Sequence, residues 1–274
     1  MSAKNLVIYA YFEKNDVYKN NLQMFLTKGL CEECDYIFVI NGECSIQIPD
    51  MPNIKVFRRE NTHYDFGAYD FALKNINIKN YKYFIFLNTS VRGPFIPIYA
   101  NTKWYEAFTN LIKGNVKLVG TTINILNSNT IHTEIFKKMT GISLPHTHVQ
   151  SQFFAMDLEC LSYLMNNTDL FSNYDYRNMV EFIARKEIMM SQLVLKHGWN
   201  ISAILPEYQN IDYITLDKDI NLSGNNHDPC FPNSCFGRTL HPYDCIFIKT
   251  NRGMSINEIN SITNYIFQHK FSTV

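Results

Sequence analysis

The chain has 274 residues, 46% of them hydrophobic and 18% charged, a balance typical of a folded globular protein and not of a disordered one. Lysine plus arginine and aspartate plus glutamate each number 25, so the basic excess of a nucleic-acid-binding protein is missing. We therefore expect no nucleic-acid partner. The sequence begins without a signal peptide and contains no apolar run as long as a transmembrane span, which predicts a cytoplasmic protein.

In its first half the chain alternates between predicted strands and helices. These elements are a strand at Asn5–Tyr11, a helix at Asp16–Gly29, strands at Asp35–Ile40 and Ile54–Phe57, a helix at Phe66–Lys74, a strand at Lys82–Leu87, a helix at Trp104–Ile112 and a strand at Lys117–Thr121.

The second half begins with a polar segment, 124–150, for which we predict a loop. The elements predicted after it are a strand at Ser151–Met156, a helix starting near Asp157, a long helix at Arg177–His197, a strand at Ile201–Leu205, a loop at Leu222–Thr239, a strand at Cys245–Lys249 and a helix at Asn257–His269. This alternation predicts an α/β fold with a mostly parallel sheet flanked by helices. Without a linker or repeat, we expect a single domain over residues 1–274.

The seven cysteines are an odd number and lie among apolar neighbours, as reduced thiols do in an intracellular protein. Cys31 and Cys34 have the C-x-x-C spacing of many zinc sites. Because the chain has no second C-x-x-C motif, we do not favour zinc binding there.

The segment Tyr83–Pro94 passes from a buried strand into a loop that holds Arg92 and Gly93. Open α/β sheets bind their ligands at the carboxyl ends of their strands. A guanidinium supplies a fixed fork of donors and a glycine permits close approach of the backbone, so this pair suits a phosphate. An ordinary strand exit with one surface arginine is the alternative.

Taken together, these segments resemble a GT-A glycosyltransferase, a Rossmann-like fold that binds nucleotide sugars. The segment Glu60–Asn75 resembles the family's donor-side helix start, and 86–90 lies where the family has its metal-binding DxD. Residues 187–199 resemble the ED-x-x-LS…GW signature beside the acceptor. Two further segments, Asn88–Pro94 and Phe236–Pro242, resemble segments of uncharacterised glycosyltransferase-like proteins of viruses, algae and bacteria.

In the last signature, Glu187 occupies the place of the general base of inverting enzymes, so the resemblance implies an inverting transfer. The alternative for Glu187 is an exposed glutamate that pairs along a helix face. Asp157 is the second candidate for the catalytic carboxylate, with a helix N-cap as its alternative role.

For the donor nucleotide, the resemblance implicates Asp65 and Gly67, and Tyr11 follows the first strand closely enough to border the base. A carboxylate at Asp65 accepts hydrogen bonds from a base or a ribose. Capping of the following helix by Asp65 and plain core packing by Tyr11 are the alternatives.

The chain departs from the family at the DxD, where Asn88 and Ser90 replace the two carboxylates. Neutral oxygens are poor substitutes for carboxylates at a divalent cation. A departing diphosphate still needs its charge neutralised. We favour cationic side chains for this task, with Arg92 first and then Arg238 and Lys249.

Alternatively, a divalent cation (Mn or Mg) is held elsewhere, with His227 and Asp228 as the candidate ligands and Asp65 as a further carboxylate. In the favoured scheme Asp228 contacts the donor instead.

The residues and the resemblance are compatible with three alternative functions. The first is a glycosyltransferase that uses a nucleotide sugar and a glycan or other hydroxyl acceptor, and the second is an inactive sugar-binding module, which the altered DxD permits. The third is a sugar-1-phosphate nucleotidyltransferase. The third is least favoured because Tyr11–Asn15 lacks the Gly- and Arg-rich phosphate loop that such enzymes have after the first strand.

Overall fold

The computed structural model describes residues 4–225 and 228–268. Its strands are β1 (Lys4–Tyr11), β2 (Cys34–Asn41), β3 (Ile54–Arg59), β4 (Tyr81–Asn88), β5 (Val91–Arg92), β6 (Val116–Gly120), β7 (Ile123–Leu126), β8 (His146–Val149), β9 (Phe153–Asp157), β10 (Asn200–Ala203) and β11 (Ile248–Lys249). Its α-helices are α1 (Asp16–Lys28), α2 (Tyr64–Lys74), α3 (Trp104–Thr109), α4 (Ile131–Thr140), α5 (Leu158–Asn167), α6 (Met179–Phe182), α7 (Met189–Lys196), α8 (Pro242–Cys245) and α9 (Ile256–Gln268).

Seven strands form the central sheet in the order β10-β6-β9-β4-β1-β2-β3. All neighbours pair in parallel except β9, which runs antiparallel to both β4 and β6. The predicted α/β fold with a mostly parallel, Rossmann-like sheet flanked by helices is confirmed. Because β9 is reversed, it begins at the same edge of the sheet at which β1, β2 and β4 end.

Successive residues of the central strands belong to two cores, one on each face of the sheet. In β1, Leu6 and Ile8 pack in a cluster with residues of α2, α5 and α7, whereas Val7 and Tyr9 pack with residues of α1 and α3. A strand that is covered on both faces needs apolar side chains at every position, which explains the uninterrupted apolar runs in the sequence. In the part of the chain that is described, no helix combines the length and apolarity required to cross a bilayer.

The prediction of a loop over 124–150 was wrong. This segment contains β7, α4 and β8, and the two strands pair antiparallel as a separate ribbon. Both strands are only four residues long, so the alternation of Ile123, Asn124 and Ile125 in β7 is too short to identify a strand. In β8 the buried residues His146, Thr147 and His148 are not apolar. A capping box at Thr130 begins α4.

The helix predicted at 177–197 forms, but in three parts: α6, a π-helical segment at Ile183–Ile188, and α7. Single π-helical turns inside α-helices occur frequently at functional sites. In the described parts of the loop predicted at 222–239, residues 222–225 and 228–239, there are turns and isolated bridges but no helix or strand, as expected. The predicted final residue of the last helix, His269, lies outside the described residues.

Candidate functional site

A cavity of about 930 Å³ opens at the edge where β1, β2 and β4 end and β9 begins. Along this edge its lining residues follow the order of the strands, with Asn41 from β2, Phe12 just after β1, Ser90 just after β4 and Ser151 just before β9. This is the position at which open α/β sheets bind ligands.

Glu187 reaches the cavity from the π-helical segment, and only 12% of its side chain is exposed. Its Oε2 accepts hydrogen bonds from the backbone N–H and the hydroxyl of Ser151, both at 2.7 Å. The predicted catalytic carboxylate therefore lies at the β9 end of the cavity and not on an exposed helix face.

His148 lies beside Glu187, with its Nε2 3.7 Å from Oε1 of the carboxylate. Its Nδ1 donates to the carbonyl of His146 at 2.9 Å, so Nε2 is the ring nitrogen that faces the carboxylate. Burial raises the pKa of Glu187, but His148, the charge of Lys249 and the Ser151 N–H lower this pKa to about 2. Glu187 is therefore ionised at neutral pH.

Asp65 lines the same cavity from the first turn of α2. Its Oδ2 accepts from the Asn88 amide at 2.7 Å and its Oδ1 from the Phe66 N–H at 3.0 Å. Burial is the main cause that raises the pKa of Asp65 to about 6, and the negative charge of Glu187 adds to the rise. The predicted donor contact thus lies in the cavity as a carboxyl group that titrates near neutrality.

The segment Asn88-Thr89-Ser90 is bound into the protein by its own polar groups. Asn88 Oδ1 accepts from the Ser90 N–H at 3.0 Å and from the Ser90 hydroxyl at 2.6 Å. The Thr89 hydroxyl donates to the Ala10 carbonyl at 3.1 Å and accepts from the Phe12 N–H at 2.9 Å. These bonds use the oxygens that stand in place of a DxD.

The donor set at this position does not fit a divalent cation, because its amide and hydroxyl oxygens are neutral and already hydrogen-bonded. Across residues 4–225 and 228–268, no cluster of three or more histidine, cysteine, aspartate or glutamate side chains has a geometry suited to a metal ion. Asp228 lines the cavity, but its carboxylate is paired with Arg252. His227, its predicted partner in metal binding, lies outside the described residues.

The cationic lining comes from Lys14, Lys249 and Arg252, and Arg92 is not among the lining residues. In the β5–β11 pair, Arg92 lies opposite Ile248 and Val91 lies opposite Lys249, so Arg92 and Lys249 project to opposite sides.

Arg92 is 1% exposed and donates to Asn21 at 2.7 Å and to Asn260 at 2.5 Å, which ties β5 to α1 and α9. Burial lowers its pKa to about 10. The expectation that Arg92 contacts a diphosphate is corrected, since its guanidinium is enclosed between helices.

Asp157 and Arg238 also lie away from the cavity. The reversal of β9 carries Asp157 to the opposite edge of the sheet, where it accepts from the Cys160 N–H at 2.9 Å and pairs with Lys117 at 2.8 Å. It is the N-cap of α5, which was its alternative role. Arg238 binds Glu207 and Asp244 beside a separate cavity of about 530 Å³.

Tyr11 is fully buried, donates its hydroxyl to Glu13 at 2.7 Å and does not line the cavity, whereas its neighbour Phe12 does. The two glycines have packing roles. A Cβ at Gly67 would lie 2.7 Å from the Thr62 carbonyl, and one at Gly93, where φ is +159°, would collide with the Ile246 carbonyl.

Several lining residues were not among the predicted site residues, notably Ser151, His148, Phe12 and Arg252. The sequence contains one signal for them, the H-x-H spacing of His146 and His148, although it suggests a metal site. Packing of β8 and the turn after it against the helical segments 183–196, and not sequence spacing, brings Ser151 and His148 to Glu187.

The lining also has an apolar part beside Glu187. Ile183 precedes Glu187 by four residues on the same helical segment, and Met179 and Ile131 are 49% and 60% exposed. Leu126 of the β7–β8 ribbon completes this group. Large apolar side chains left open at a cavity mouth are typical of a surface that a ligand covers.

No protein-family model matches the chain, and no curated protein sequence matches it. Among solved structures, the chain is similar to the mannosyltransferase PcManGT from Pyrobaculum calidifontis in complex with GDP-Man and Mn²⁺, with 11% sequence identity and a TM-score of 0.42. That similarity covers 74% of this chain and 54% of the mannosyltransferase, so the chain spans about half the length of that protein.

Proposed function

We propose that this chain is a nucleotide-sugar-dependent glycosyltransferase that transfers a sugar, with inversion, to a hydroxyl of a glycan or other acceptor. The observation that supports it most is the ionised Glu187 at one end of a cavity that also presents Lys249 and Arg252. An anion that accepts a proton and cations that receive a diphosphate are the two requirements of this reaction.

In this mechanism the acceptor hydroxyl donates to Oε1 of Glu187, because Oε2 already accepts two hydrogen bonds from Ser151. The hydroxyl oxygen attacks the anomeric carbon while the bond to the diphosphate breaks on the opposite face of the sugar. The hydroxyl proton passes to Glu187. A carboxylate with a lowered pKa is a weak base, so this transfer occurs late, once attack has made the hydroxyl acidic.

Lys249 and Arg252 neutralise the charge that develops on the leaving diphosphate, and no step requires a metal ion. Of the two, Lys249 carries more of this task since Arg252 is paired with Asp228. At the other end of the cavity, Phe12 stacks on the nucleoside and Asp65 accepts hydrogen bonds from it. In this proposal the enzyme acts in the cytoplasm without a nucleic-acid partner.

The apolar residues beside Glu187 favour an acceptor whose hydroxyl is carried next to an apolar group, such as an alkyl or aryl glycoside. The donor nucleotide sugar is polar and its charged part meets Lys249, so the acceptor is the molecule that covers Ile131 and Met179. Burial of this apolar area contributes about 25 cal/mol per Å² to acceptor binding.

A sugar-binding module without catalysis is the second candidate, and the internally bonded Asn88-Thr89-Ser90 segment is the observation that favours it. The two are separated by incubating the protein with a panel of nucleotide sugars and measuring release of nucleoside diphosphate. Release that Glu187→Gln abolishes supports the transferase, and binding without release supports the module. Exchange that depends on pyrophosphate would instead indicate a nucleotidyltransferase.

A further inference from the structure

Cys31 lies in the connection between α1 and β2 and Cys34 is the first residue of β2, at the sheet edge opposite to the cavity. The intervening Glu32 and Glu33 form a turn, and both thiols are free. A β-turn keeps the Cα atoms of its first and fourth residues within about 7 Å of each other. Disulfides form when the two Cα atoms are about 4.4 to 6.8 Å apart, so the backbone already suits a bond between these residues.

The two sulfur atoms have different surroundings. Cys31 is partly exposed and its Sγ lies 3.2 Å from the Tyr36 hydroxyl, whereas Cys34 is fully buried and contacts the Asn5 amide at 3.9 Å. A hydrogen bond from Cys34 is the main cause that lowers the pKa of Cys31 to about 7, and the same bond raises the pKa of Cys34. One thiol is thus accessible and ionisable, and the other is adjacent and protected.

We propose that Cys31 and Cys34 form a redox-active dithiol, in which Cys31 is the attacking thiol and Cys34 the resolving thiol. The Cys31 thiolate attacks a low-molecular-weight disulfide such as glutathione disulfide, forms a mixed disulfide and releases one glutathione thiolate. Cys34 then loses its proton and attacks the Cys31 sulfur, which releases the second glutathione. Two protein thiols are oxidised to one disulfide while one glutathione disulfide is reduced to two thiols.

The other cysteines lack this arrangement. Cys44 is partly exposed as well, but it stands alone, and its Sγ donates to the Ile46 carbonyl at 3.2 Å. Cys160, Cys230, Cys235 and Cys245 are buried. The proposal concerns an edge of the sheet far from the cavity and is independent of the proposed transferase activity.

The chain offers a direct assay, because Glu32 and Glu33 separate the two cysteines and Glu43 separates Cys34 from Cys44. The folded, reduced protein is treated with glutathione disulfide, remaining thiols are alkylated, and the denatured chain is cut after glutamate. We expect the Cys31 and Cys34 fragments to remain joined until a reductant is added. Absence of joined fragments, or glutathione distributed over Cys44 and the buried cysteines, overturns the proposal.

Variants then test the order of the two steps. In Cys34→Ser, Cys31 is expected to stop at a mixed disulfide with one glutathione, and in Cys31→Ser the buried Cys34 is expected to stay unmodified. Cys44→Ser is the matched control and should oxidise as the wild type does. If Cys34 is modified as fast in Cys31→Ser as Cys31 is in the wild type, the assigned order is wrong.

Discussion

Asp65 and Glu187 are both partly buried carboxyl groups that line one cavity. Their pKa values nevertheless shift in opposite directions from the ordinary values, that of Asp65 up to about 6 and that of Glu187 down to about 2. Burial raises both. At Asp65 only neutral groups offset burial, namely the Asn88 amide and the backbone N–H groups of Phe66 and of Asp65 itself. At Glu187 two donors from Ser151 are joined by His148 and by the charge of Lys249. Burial dominates at Asp65, whereas the charged groups beside Glu187 outweigh it there.

This difference in pKa assigns different chemical roles to the two carboxyl groups. Two titratable groups whose surroundings separate their pKa values are a frequent basis for distinct acid and base roles. Glu187 keeps a negative charge where a proton is to be accepted. Asp65 has a pKa of about 6 and is mostly ionised at neutral pH, so it can accept hydrogen bonds from the nucleoside.

Of the substitutions considered, removal of the Glu187 charge is expected to have the largest effect on activity. Glu187→Gln keeps the size of the side chain but cannot take the acceptor proton, so the turnover number should fall about 100-fold or more. The assay is release of nucleoside diphosphate in the presence of acceptor. Glu134→Gln, an exposed glutamate of α4, is the control. A Glu187→Gln enzyme within a few-fold of the wild type contradicts its role.

Loss of the nearby cation tests why the two carboxyl groups differ. Lys249→Met should lower kcat/KM for the donor about 10- to 100-fold, because the diphosphate loses its main counter-charge. Since Lys249 also lowers the pKa of Glu187, the acid limb of the pH–rate profile should move to higher pH. Lys249→Arg should retain most activity. An unchanged profile in Lys249→Met would remove Lys249 from the explanation.

The substitution Asp65→Asn tests the raised pKa of Asp65 through its effect on the free energy of unfolding. The folded pKa of Asp65 lies above its unfolded value near 3.8, so this carboxyl group destabilises the fold as the pH rises from about 4 through 6. Relative to the wild type, Asp65→Asn should gain about 2 to 3 kcal/mol of unfolding free energy between pH 4 and pH 7. Urea titrations at the two pH values measure it. If the difference in unfolding free energy between Asp65→Asn and the wild type is the same at both pH values, the pKa of Asp65 is not raised in the folded protein.

The smallest effect on activity is expected from substitution of the apolar lining residues beside Glu187. Ile131→Ser removes part of the surface next to Glu187, and kcat/KM for an alkyl glycoside acceptor should fall by about 2- to 10-fold. Donor hydrolysis without acceptor should not change. Equal losses for alkyl glycosides and free sugars would argue against an apolar acceptor group.

The sequence was sufficient to predict the parts of the fold that are buried on both faces. The apolar runs in β1 and β4 predict strands, and the helix predicted at Asp16–Gly29 forms as α1, with Asn15 as its N-cap and Gly29 as its C-cap. It was insufficient for the β7–β8 ribbon, whose backbone is bound by side chains distant in the sequence. Gln192 donates to the Thr147 carbonyl at 2.8 Å, and the Ser191 hydroxyl accepts from the Val149 N–H at 2.9 Å. Such contacts leave no periodic signal in the chain.

The site could be predicted only in part, for a related reason. Glu187, Asp65, Asn88, Ser90 and Asp228 all line the cavity. Arg92 does not, since the register of β5 with β11 turns it toward α1 and α9 and presents Lys249 instead. Likewise, the direction of β9 decides at which edge Asp157 lies. Register and strand direction are properties of pairing that a single sequence does not encode locally.

A crystal structure of the protein soaked with a nucleotide sugar that it turns over would test the proposed site most directly. We expect the diphosphate within hydrogen-bonding distance of Lys249, the nucleoside beside Phe12 and Asp65, and Glu187 on the face of the anomeric carbon opposite the diphosphate. A nucleotide bound outside the cavity, or a diphosphate remote from Lys249 and Arg252, would contradict it.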